Sequence, residues 1–171
     1  MTTKILISFL LAILFSNCKF PEYLPSTENI DTNPHGAMIT AHIKKSSRPV
    51  RGELISCDDD KLIILADSAY AKKKGTKLER LSWEEVNKFR LQYAKPKNYA
   101  WSLPVYTLAT LSHGLFAIFT APVNFAATFT VNNSGRLSFS YDNTKISMQD
   151  ISMFARYPQG IPPGIDPDTI K

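Results

Sequence analysis

The chain has 171 residues, of which 44% are apolar and 20% charged, and its formal net charge is +5. That apolar share excludes a disordered chain, and the length fits one domain or a small domain with appendages. The two cysteines, Cys18 and Cys57, are too few for a disulfide framework, and without a Cys-x-x-Cys pair they exclude the common zinc and thiol redox motifs.

At the N-terminus one positive charge, Lys4, precedes an apolar run over residues 5–15, followed by Ser16, Asn17 and Cys18. The run has the order of an export signal and is shorter than the roughly 20 apolar residues that span a bilayer. No good site for ordinary signal peptidase follows it, but a cysteine does. Leu14-Phe15-Ser16-Asn17-Cys18 resembles a bacterial lipobox in a relaxed form, with Phe and Asn where Leu and a small residue are commoner. The resemblance implies removal of residues 1–17, lipid on the thiol and amine of Cys18, and attachment to a membrane of the bacterial cell envelope. A lipidated Cys18 leaves Cys57 without an intrachain disulfide partner. Lys19 stands where an Asp would imply retention in the inner membrane of some bacteria, so the resemblance points to the outer membrane ahead of the inner. The competing readings are a signal cut elsewhere, which leaves Cys18 a free thiol, and an uncleaved anchor.

Residues 18–36 read as a flexible tether, because Pro21, Pro25 and Pro34 interrupt a polar segment without periodicity. From residue 37 the pattern changes to period two. Ile39, Ala41 and Ile43 alternate with Thr40, His42 and Lys44, which predicts a half-buried strand. Residues 50–57 and 61–66 predict a hairpin around Asp58-Asp59-Asp60, and Leu62-Ile63-Ile64-Leu65 is apolar on both faces, as in a central strand. Residues 72–76 read as a polar loop and 78–81 as a short strand. Ser82-Trp83-Glu84-Glu85 carries the capping-box spacing of a single helical turn, and 86–93 alternates again.

Five short strands with a helical turn before the last resemble the small SH3-like or Sm-like barrel. The resemblance covers residues 37–94, within a barrel domain expected over 37–97, and centres on Arg51-Gly52-Glu53-Leu54-Ile55, where a Gly lets a strongly bent strand close. The fold class expected is mainly β: a five-stranded SH3-like barrel with an apolar helix and a short C-terminal helix. Barrels of this type bind peptides, nucleic acid or their own copies, and fold alone does not choose among them.

Between Tyr70 and Lys97 nine basic residues, Lys72, Lys73 and Lys74 among them, face three acids. The functional reading is attraction to anionic lipid head groups, or contact with a partner; the plainer and preferred one is a solvated face. Nucleic acid is not an expected partner for an exported chain.

No Asp, Glu, Lys or Arg occurs between Lys97 and Arg136, which sets off 98–131 as an uncharged apolar segment. Leu108, Leu111, Leu115 and Ile118 predict a helix over 105–121, with Pro104 and Pro122 as its stops. Thr107, Thr110, Gly114, Ala117 and Ala121 form a second stripe of small residues, of the kind that lets membrane helices approach closely. Gly114 and Ala117 are therefore candidate membrane or partner contacts. A membrane-inserted helix or re-entrant hairpin competes here with a helix buried on both faces by protein, and the second is preferred.

The strings Ser112-His113-Gly114-Leu115-Phe116, Thr120-Ala121-Pro122-Val123-Asn124 and Ala155-Arg156-Tyr157-Pro158-Gln159-Gly160-Ile161-Pro162-Pro163 are similar to stretches in uncharacterised bacterial lipoproteins. That family has no assigned activity to carry over, so the resemblance bears on location. Residues 128–131 and 136–141 predict a hairpin around Asn132-Asn133-Ser134-Gly135, which leads into the remaining segment, 132–171. Ser147 predicts the cap of a short helix that buries Ile151 and Phe154, and a Pro-rich tail follows.

Nothing assembles into a catalytic set. Ser112 and His113 are adjacent and do not face each other on a helix. His35 and His42 lack a carboxylate at ligand spacing, and Asp58-Asp59-Asp60 lacks the calcium-loop pattern, so neither metal nor cofactor is expected. The functional expectation is a non-enzymatic, lipid-anchored envelope lipoprotein with a structural or protein-interaction role, its partner and oligomeric state left open. An integral membrane component with residues 103–121 inserted ranks second, and a small envelope hydrolase using His113 third.

Overall fold

The structure is a computed structural model, and it describes residues 20–33, 35–58, 60–74, 77–96, 99, 101–112 and 114–170. These fall into two compact units, one built from Pro21–Lys95 with Phe139–Lys171 and the other on Pro96–Ser138.

The first unit is mainly β. Strands β1 (Met38–Ile43), β2 (Val50–Cys57), β3 (Lys61–Ala66), β4 (Leu78–Ser82), β5 (Val86–Gln92) and β6 (Ser140–Asp142) form one antiparallel sheet in the order β4-β3-β2-β1-β5-β6. The first five lie where the alternation of the sequence puts them. The sheet is not closed, and the C-terminal β6 lengthens it beyond β5, pairing Leu91 with Tyr141. Register shifts between Leu54 and Ser56 and between His42 and Ile43 bend it.

Period two explains the core. Ile39, Ala41, Val50, Leu54, Leu62, Ile64, Phe89 and Leu91 point inward and are buried, and Ile151 covers them from the C-terminal segment. Burying each of the larger side chains contributes about 1.5–3 kcal/mol. Between β4 and β5 the turn Trp83–Glu85 is a 3-10 turn with a complete capping box: Ser82 Oγ accepts from the Glu84 amide, and the Glu85 carboxylate accepts from the Ser82 amide.

Four segments differ from the sequence expectation. Ser68–Lys74 is a helix, α1, so Lys72–Lys74 end a helix where the sequence predicts a loop over 72–76. Asp67 caps it, its carboxylate accepting from the Tyr70 amide at 3.0 Å, and good helix formers follow. The described residues of 21–36 do not hang free. Leu24 is buried, the Lys95 amide donates to the Pro25 carbonyl, and Gly36 is enclosed against β2. Prolines broke the periodicity there without removing the apolar groups that pack.

In the second unit the helix expected over 105–121 is two helices, α2 (Ser102–Leu111) and α3 (Ala117–Leu137), joined through the turn Gly114–Phe116. Gly114 has φ +60°, a conformation that ends a helix and that glycine adopts readily. Pro122 lies inside α3 instead of stopping it; it forfeits one backbone hydrogen bond, and the helix continues. The hairpin expected around residues 132–135 is helix as far as Leu137, because a helix already formed gains a bond with each added residue while turn chemistry is a weak local preference. Phe139 follows in the left-handed conformation (φ 60°) usual for glycine after a helix, and its ring packs edge-on against Tyr93, centroids 5.7 Å apart.

The short helix expected after Ser147 is a 3-10 turn, Asp150–Phe154, whose cap position is Gln149 rather than Ser147; the Ser147 hydroxyl still accepts from the Asp150 amide at 3.3 Å, Ile151 is buried as expected, and Phe154 is half-buried. The tail beyond it lies on the same unit: the amides of Arg156 and Tyr157 donate to the carbonyls of Leu54 and Ile55, and Ile170 is buried.

Candidate functional site

The most concentrated polar chemistry of the described residues lies on β2, at Glu53. The residue is 3% exposed and stands directly before the apolar Leu54 and Ile55, so the carboxylate needs partners of its own. It has them. Oε1 accepts from the Gly36 amide at 2.9 Å and from Arg156 Nε at 2.8 Å, while Oε2 accepts from Arg156 Nη2. The guanidinium thus grips both oxygens, the strongest geometry open to an ion pair. Arg156 Nη2 also donates to His35 Nδ1 at 3.3 Å.

Backbone pairing places these groups. The Leu54 amide donates to Ala37 and the Ala37 amide to Phe154, so the entering and leaving segments are laced to the same stretch of strand. Gly36 and Gly52 permit the close approach. A Cβ on Gly36 would overlap the Leu54 carbonyl oxygen, and one on Gly52 would overlap that of Leu65.

Beside the pair is a cleft of ≈ 310 Å³, walled by Tyr23, Met38, Arg51, Leu65, Asp67 and Arg156 among others. The Tyr23 hydroxyl is buried and has no hydrogen-bond partner among the described residues. Burial first, and the nearby Glu53 charge second, push its pKa well above the usual tyrosine range. The phenol stays protonated and can donate a hydrogen bond, so it is no base. Glu53 and Arg156 spend their donors and acceptors on each other and on the segment at Gly36. The chemistry this supports is fastening: a buried pair that pins both ends of the folded unit to β2.

The residues singled out in the sequence do not gather here. Cys18 and His113 lie outside the described residues. Lys72 is exposed on α1, and Lys73 and Lys74 complete that helix in the chain. Gly114 is in the exposed turn between α2 and α3 and Ala117 begins α3, so the expected stripe of small residues is not the face of one helix. Nor is the uncharged segment covered on both faces by protein: Val105, Tyr106, Leu115, Phe116, Ile118 and Phe119 are exposed. Among the described residues no helix is long and apolar enough to cross a membrane, and no three His, Cys, Asp or Glu side chains form a group suited to a metal ion.

Sequence reasoning quoted Glu53 and Arg156 without giving either a role. The available signal was a single acid, Glu53, directly before the apolar pair Leu54-Ile55 in a predicted strand. Comparisons of the chain with protein families, with curated proteins and with solved structures find no match.

Proposed function

We propose that the protein is a lipid-anchored lipoprotein of the bacterial cell envelope, held at a membrane through Cys18, with a structural or protein-interaction role rather than an enzymatic one. The observation that carries this reading is the order of the N-terminus: one cation, an apolar run too short to span a bilayer, then a cysteine in a lipobox-like setting. Lys19 after the cysteine favours the outer membrane. A body whose buried charges are spent on holding its own ends fits a passive role better than a reactive one. The first five strands, in the order β4-β3-β2-β1-β5 with a capped 3-10 turn between β4 and β5, support reading the sheet as an SH3-like barrel left open and lengthened by β6.

The test is incorporation of labelled palmitate with an intact mass of the membrane-bound protein. The expected result is loss of residues 1–17 and label that disappears in Cys18→Ala. Protein recovered with those residues attached and no lipid overturns the reading.

A further inference from the structure

We propose that α2 and α3 form a hairpin whose tip enters the hydrocarbon of one membrane leaflet without crossing the bilayer. Among the described side chains its polarity is inverted. On the side where the two helices meet, Asn124 Nδ2 donates to Thr110 Oγ1 at 2.7 Å, and Thr110 and Thr128 are only 3% and 7% exposed. The outside carries the large apolar groups. At about 100° per residue, Phe125, Ile118, Phe129, Phe119 and Val123 spread over roughly 160° of the α3 surface, and each is more than half exposed. A helix pair in water has the opposite arrangement, apolar seam and polar exterior. Polar glue inside and apolar groups outside is the arrangement of helices in lipid.

The hydroxyls fit the same solvent. Thr110, Ser112, Thr120, Thr128 and Thr130 each donate to a carbonyl three or four residues back, at 2.6–3.1 Å, so these donors need no water. No permanently charged side chain occurs between Lys97 and Arg136, and cations stand at both ends of that window in the chain. Trp101, 63% exposed, marks the base of α2, where an indole suits the level of the head groups. The tip is Leu115 and Phe116, 87% and 73% exposed.

Length sets the depth. The ten residues of α2 rise about 15 Å and the apolar part of α3, to Val131, about 22 Å, against roughly 30 Å of hydrocarbon. The occupant is acyl chain rather than a protein partner, because the apolar surface wraps further round α3 than one docked face covers.

The full chain carrying Phe116→Trp, reconstituted in phosphatidylethanolamine–phosphatidylglycerol vesicles with brominated acyl chains, tests this. The fluorescence that the new indole adds over the parent protein is expected to be lost with bromines near the chain middle and to resist aqueous iodide. Phe119→Trp should do the same, and both sites are exposed, so either substitution leaves the fold intact. Added fluorescence quenched by iodide places the tip in water and overturns the inference. Fluorescence quenched by neither reagent means that protein covers the tip, a second copy included, and overturns it as well. The readout does not depend on Cys18: palmitate labelling can fail while Phe116→Trp is quenched, and the reverse, so the two proposals fail separately.

Discussion

Glu53 and Arg156 are 103 residues apart in the chain and meet through two hydrogen bonds, one to each carboxylate oxygen, with the Glu53 side chain almost wholly removed from water. A buried pair of this kind adds little net stability over an apolar pair, yet removing one partner strands the other's charge. Arg156→Ala is expected to destabilise the sheet unit by roughly 3–5 kcal/mol. Glu53→Leu combined with Arg156→Met should cost clearly less than the two single changes together. Urea unfolding of the parent, Glu53→Leu, Arg156→Met and the double variant measures this, with Arg156→Ala alongside, and additive losses would show that the two side chains act independently.

Gly36 and Gly52 are sensitive for a steric reason. The added methyl would meet backbone rather than a movable side chain, with the Arg156 amide nitrogen 2.7 Å from a Cβ on Gly36 and the Ala66 Cα 2.7 Å from one on Gly52. Each Gly→Ala change is expected to cost at least the 1–3 kcal/mol or so of an overpacked core. Gly164, with φ +98° and nothing nearby, should lose less on the same change, through backbone strain alone. Thermal melts of the three variants rank them.

Ser56 predicts a change of the opposite sign. Its hydroxyl is buried in β2 without a hydrogen-bond partner among the described residues. An unsatisfied buried polar group is a standing cost of about 1–3 kcal/mol. Ser56→Ala removes it at almost no loss of packing and should raise the denaturation midpoint. A lowered midpoint would mean that the hydroxyl is satisfied.

Asp142 supplies a pH dependence. The Thr144 hydroxyl, then the Thr144 amide at 3.1 Å, hold its carboxylate in the charged form, with smaller help from Lys145 and Arg90, so its pKa lies below the ordinary 3.8. A folded-state pKa below the unfolded one stabilises the turn fully above the ordinary value. That stability is lost as pH falls from there through the folded pKa. The carboxylate is fully exposed, so salt screens the charge contributions and leaves the hydrogen bonds. Carboxyl 13C titration should give a midpoint below 3.8 that Thr144→Val moves back toward it.

Much of the sheet was legible because its causes are local. Alternation over residues 38–43 and 86–92 and the spacing Ser82 to Glu85 act within a few residues, and each produced the element expected. Helix boundaries were less legible. Pro122 and Asn132-Asn133-Ser134-Gly135 carry the local marks of a stop and a turn, and α3 runs through both. The candidate site was legible only as an oddity, an acid beside the apolar pair Leu54-Ile55 in a strand. Its cation stands near the other end of the chain, in a segment read as the end of a short helix and for its likeness to lipoprotein strings.

The sequence by itself determined the strands, the capped turn between β4 and β5, and a long window free of charge, since each depends on neighbouring residues and their periodicity. Only the tertiary structure decided that residues 21–36 pack rather than dangle, that β6 extends the sheet, that Arg156 answers Glu53, and that the uncharged window turns its phenylalanines outward. These four depend on which distant segments meet, and short-range pattern carries no information about that.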